Sequence, residues 1–163
     1  MKNYEVIEFV ERFDEIKQLK GTLEFTKAIV RNYRLAQEQV EALELIHQES
    51  DGYKEFTKRK EQLLIAHSKK NEDGSPIIKD LPVGNKRFKQ YELENPAEYQ
   101  KSFIELSTEF DAALKEQNER EMNYMKALEE VSEIEFKMFK DRDLPQLTVE
   151  QMLLIENFIE YND

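Results

Sequence analysis

The chain has 163 residues, 39% hydrophobic and 36% charged, with no cysteine and a net charge of −11. That length suits one ordinary domain with a core of its own, and the apolar share lies above the level that marks disorder. The missing cysteines exclude disulfides, zinc knuckles and thiol catalysis, and the excess of acid argues against general affinity for nucleic acid or anionic membrane, both polyanions.

The opening MKNYEVIEFVERFDEIK lacks a basic end followed by an uninterrupted apolar run, and no stretch reaches about 18 consecutive apolar residues, so neither a signal peptide nor a membrane span is expected. Charge is unevenly placed. Residues 54–91 carry ten basic and five acidic side chains, residues 1–53 seven and eleven, and residues 92–163 seven and nineteen. The basic middle is expected to pair with the acid of its own chain, an acidic partner being the other choice.

Val6, Phe9, Val10, Phe13, Ile16 and Leu19 recur at three- and four-residue steps, which predicts an amphipathic helix within residues 1–21. Gly21 and Thr22 then read as a stop and an N-cap. Over 22–70 the positions Phe25, Ile29, Ala36, Val40, Leu43 and Ile46, then Tyr53, Phe56, Leu63, Leu64 and His67, form a narrow stripe suited to one partner helix. Asp51-Gly52 is a candidate break; one helix with a local irregularity is favoured over two, because a lone glycine costs only about 1 kcal/mol relative to alanine.

Residues 71–95 hold two of the four glycines and two of the four prolines, and two short β-prone pieces, Ile77-Ile78 and residues 88–93, flank Pro82 and Gly84. An irregular tip with a β-ribbon is expected there. Asn95-Pro96-Ala97-Glu98 is a helix start, with an asparagine cap, a proline at the first helical position and a glutamate placed for a capping box. The helix expected over 96–131 carries Tyr99, Phe103, Leu106, Phe110, Leu114, Met122, Met125 and Leu128 on its stripe.

Over 132–147 the alternation of Ile134, Phe136 and Met138 with Glu135 and Lys137 fits a strand, a loop or a continued helix. Thr148 to Gln151 is a second capping box, opening an apolar C-terminal helix over 148–163 that is expected to dock near the first.

Catalytic signals are thin. His47 and His67 are the only histidines, and both continue a helical stripe, where packing is the ordinary role. Glu44 and His47 match the Glu-x-x-His element of di-iron bundles, but His67 has Leu64 at the matching place and the second copy is missing. Gly74 and Gly84 belong to no phosphate-binding element. The many carboxylates, Glu116 to Glu135 among them, read as solvated helix faces. No catalytic residue, cofactor or metal ligand is expected, and the chain reads as non-enzymatic. Lys86-Arg87-Phe88-Lys89-Gln90-Tyr91 is the one basic segment with interleaved aromatics, a pattern that can stack bases, yet it is short and sits in an acidic chain. Direct nucleic-acid binding is therefore not expected.

Several stretches together resemble an uncharacterised family of short helical proteins of bacteriophages and prophages: residues 13–17, FDEIK; residues 25–32, FTKAIVRN; Asn71 to Gly74; the helix around Glu98 to Leu106; and residues 147–160, LTVEQMLLIENFIE. The chain departs from that pattern between about Ala113 and Met125, where its second helix is longer. The resemblance brings no active-site residues. It implies a phage setting, a helical hairpin and a non-enzymatic role.

The expected fold is mainly α: a single domain built on a long antiparallel, coiled-coil-like helical hairpin, with short N- and C-terminal helices and a small β-ribbon at its tip. The expected function is protein–protein interaction in virion assembly or in binding a host protein, in the cytoplasm of an infected cell or on the virion. Candidate contact residues are Lys86, Arg87, Phe88 and Tyr91 at the tip, and Tyr124 and Met125 on the second helix. Self-association is also expected, since such stripes cannot bury themselves fully in one hairpin. The alternative is an acidic decoy that occupies the nucleic-acid groove of a host defence protein, motivated by the acidity of residues 92–163.

Overall fold

A computed structural model describes residues 1–83 and 86–161, apart from the side chains at 82, 83 and 86–88. The protein is mainly helical, with a small two-stranded antiparallel sheet. It divides into two compact units, one formed by Met1–Gln48 with Arg120–Asp163 and the other by Glu49–Glu119.

The first unit begins with α1 (Asn3–Glu11), followed by a 3-10 turn at Phe13–Glu15. The helix is shorter than its apolar spacing predicts. Arg12 leaves helical geometry and bonds Glu8 and Glu15 at once, and the tighter turn brings Phe13 flat against Tyr33, ring centres 3.7 Å apart. Thr22 caps α2 (Leu23–His47) by accepting from the Phe25 N–H. From this helix Phe25, Ala28, Ile29 and Ala36 enter a core with Val6, Phe9 and Ile16.

The C-terminal part of the same unit completes that core. The Thr148 capping box forms as the sequence predicts and opens α6 (Val149–Ile155), which ends in a 3-10 turn at Glu156–Phe158 rather than continuing as helix. Phe158 meets Phe9 edge-on at 4.9 Å, so the last helix docks on the first. Two short strands, β3 (Phe139–Lys140) and β4 (Ile159–Glu160), pair in parallel and bury Phe139 and Ile159. Ahead of β3 the predicted alternation appears only in part and without a ladder: Ile134 and Phe136 are half-buried and Glu133, Glu135 and Lys137 exposed, but Met138 is exposed as well.

In the second unit, α3 (Asp51–His67) is a separate helix. The single helix expected over 22–70 is interrupted at Gln48, whose ψ of 132° is extended, and Ser50 starts a new helix by accepting from the Tyr53 N–H. Asp51 and Gly52 lie inside α3, not at the break. A Cβ on Gly52 would come within 2.9 Å of the Ala113 Cβ, so the glycine permits a close helix approach.

Strands β1 (Ile78–Val83) and β2 (Lys86–Tyr91) form the antiparallel ribbon, with Ile78 opposite Tyr91 and Leu81 opposite Phe88. The expectation on Gly84 falls outside the described residues. The Asp73 carboxylate accepts from the Ser75 N–H and hydroxyl, and Gly74 has a φ of +83°, which together make the preceding turn.

The helix expected over 96–131 is likewise two, α4 (Pro96–Glu109) and α5 (Asp111–Glu129), separated at Phe110. The Thr108 hydroxyl donates to the Ile104 carbonyl one turn back, a bond that bends helices. Asn95 caps α4 through the Glu98 N–H, while the Glu98 carboxylate accepts from the asparagine side chain.

Candidate functional site

Three surfaces carry the residues that could meet a partner, and each is set by local packing. In the second unit α3 and α4 lie antiparallel: His67 meets Tyr99, Phe56 meets Phe103 and Phe110, and Ser50 meets Gln117, in opposite chain order. Arg59 pairs with Glu109 and lies over the Phe110 ring, and the Lys60 ammonium lies over Phe103. These rings hold the helix pair together.

The ribbon stands on that pair. Lys69 and Lys79 both bond the Glu92 carboxylate, at 2.5 and 2.8 Å, and drive its pKa down from the usual 4.5 to about 2. Tyr91 is half-buried and lines a recess of about 270 Å³ with Lys79, Glu92, Leu93 and Pro96. The structure places Lys86, Arg87 and Phe88 in β2, but their side chains lie outside the described residues.

Tyr124 and Met125 belong to the first unit. The Tyr124 ring stacks on His47 at 4.5 Å, and the Arg120 guanidinium donates to the Gln48 carbonyl beside it. Tyr124 is thereby engaged by its own chain, and His47 is exposed instead of buried. Met122 and Met125 are 50% and 59% exposed, so these two positions of the predicted stripe face solvent and not a packed helix. The predicted residues thus fall into two groups in two units.

Sequence reasoning passed over a third surface, the outward face of α2. Leu23, Lys27, Val30, Arg31 and Arg34 repeat at three and four residues, opposite the buried Phe25, Ile29 and Ala36 side. Lys27, Val30, Arg31, Arg34, Leu35 and Glu38 line a shallow concavity of about 490 Å³, to which α2 alone contributes among the described residues. Lys27 makes a long ion pair with Glu24, at 3.6 Å. Among the described residues neither Arg31 nor Arg34 has a partner. The signal was present in the sequence: residues 25–37 contain three basic side chains and no acidic one, in a chain of net charge −11.

Among the described residues no three histidine or carboxylate side chains come together as metal ligands, and no helix is long and apolar enough to cross a membrane. No protein-family model, no curated protein and no solved structure matches the chain.

Proposed function

We propose that the protein is a non-enzymatic, phage-encoded binding protein, acting in virion assembly or on a host protein, in the infected cytoplasm or on the virion. The observation that carries this reading is the outer face of α2, where exposed Leu23 and Val30 sit among Lys27, Arg31 and Arg34, and among the described residues neither arginine has a partner. Apolar side chains ringed by unsatisfied charge are the composition of a protein contact, in which burial supplies affinity and charge supplies orientation. We read the antiparallel α3/α4 pair as part of the coiled-coil-like hairpin that the stripes imply, with the ribbon carrying Lys86, Arg87, Phe88 and Tyr91 as a second contact region.

The test is a tagged pull-down from infected and uninfected lysates, compared with an Arg31→Glu/Arg34→Glu variant. The expected result is a defined protein retained by the native chain and lost with the variant. Retention of nothing, or of the same proteins by both, would refute the reading.

A further inference from the structure

We propose that the outer face of α2 docks on the outer face of α6 in a second copy of this chain, forming a two-fold dimer. The inference rests on reading the α2 face as a protein-binding surface and names its occupant.

The two faces are complementary. On α2, Leu23 and Val30, 67% and 41% exposed, lie among Lys27, Arg31 and Arg34. On α6, Val149 and Leu153 are 72% and 59% exposed; Glu150 lies beside them in the first turn, and Glu156 follows in the 3-10 turn. Glu24 and Glu38 border the α2 face at its two ends, and the stretch between them is basic. Residues 25–37 are basic without acid, whereas residues 144–161 hold three acidic side chains and no basic one. Both helices spend their opposite sides on the same core, through Phe25 and Ile29 from one and Leu154 and Ile155 from the other. The outward sides are therefore fixed in direction and not free to turn inward.

The two faces do not satisfy each other within one chain, since the concavity on α2 takes no side chain from α6. A two-fold arrangement seats each α2 on the partner's α6, so that two equivalent contacts cover both faces of each protomer. Exposed valine and leucine provide the buried area, and the Lys27, Arg31 and Arg34 cations facing Glu150 and Glu156 set the register.

The experiment is sedimentation of the full chain over a concentration series, at low and high salt, with two charge-reversed variants. One is Arg31→Glu/Arg34→Glu and the other is Glu150→Lys/Glu156→Lys; circular dichroism checks that each keeps its helix content. The native chain is expected to approach twice its 19.5 kDa mass, more readily at low salt. Each variant alone is expected to lose roughly tenfold or more in self-affinity. Mixing the two should restore the dimer, because the acidic α2 of one then meets the basic α6 of the other.

A native chain that stays monomeric overturns the inference while leaving the wider binding role standing. So does a dimer indifferent to both reversals, or a mixture that fails to recover. Binding of a duplex DNA oligonucleotide through Arg31 and Arg34 without self-association would overturn it as well.

Discussion

The carboxamide of Asn32 and the main chain of Lys137 bond in both directions: Asn32 Nδ2 donates to the Lys137 carbonyl at 3.0 Å, and the Lys137 N–H donates to Asn32 Oδ1 at 2.7 Å. Asn32 is fully buried, on the core side of α2. Its side chain does for the main chain of Lys137, just ahead of β3, what a neighbouring strand would do.

Replacing Asn32 with leucine should cost about 2 kcal/mol, because the Lys137 N–H and carbonyl lose their partner in a poorly solvated place. Asn32→Asp should be at least as harmful. It keeps an acceptor, loses the donor and buries a charge. Urea unfolding at neutral pH checks both; a leucine variant as stable as the native chain would show that water replaces the amide.

Phe9 and Phe158 meet edge-on at 4.9 Å with an interplanar angle of 75°. Phe9→Ala should cost about 3–5 kcal/mol. A double-mutant cycle with Phe158→Ala should return a coupling of roughly 0.5–1.5 kcal/mol. Additive single effects would mean that the rings merely fill space.

Gly52→Ala should destabilise by about 1–3 kcal/mol, since the new methyl would sit 2.9 Å from the Ala113 Cβ. Adding Ala113→Gly should recover much of that loss in thermal unfolding. Failure of the second change to help would place the strain elsewhere.

Glu92 titrates far below an ordinary glutamate, at about 2, because Lys69 and Lys79 bond its charged form. A depressed carboxyl pKa stabilises the fold when ionised, so the contribution is complete above the usual 4.5 and is lost as pH falls from there toward about 2. Protection of the Lys69, Ile77 and Glu92 amides against hydrogen exchange, relative to their intrinsic rates, should fall through that window, since these amides tie the root of the ribbon together. In Glu92→Gln the window should vanish. A carboxyl midpoint near 4.5 in an NMR titration would contradict the bridge.

Thr22, Asn95 and Thr148 cap their helices as the sequence foretells, and the periodic positions Val6, Phe9, Phe25, Ile29 and Ala36 are all buried. Caps and periodicity join residues three or four apart, so the chain states them locally. The interruptions at Gln48 and Phe110 are local too, but their signals, a capping serine and a back-bonding threonine, are weak against long helix-forming runs. The Lys27, Arg31 and Arg34 face was equally legible as a run free of acid, yet a reading that follows apolar positions alone passes over it.

Helical character, the starts of the best-capped helices and the ribbon that interrupts them are written in neighbouring residues. The bonding of Asn32 to the Lys137 main chain, the exposure of Met122 and Met125, and the division into two compact units arise from long-range packing. Those outcomes depend on which distant segments fill the space beside each face, and no residue's near neighbours in sequence carry that information.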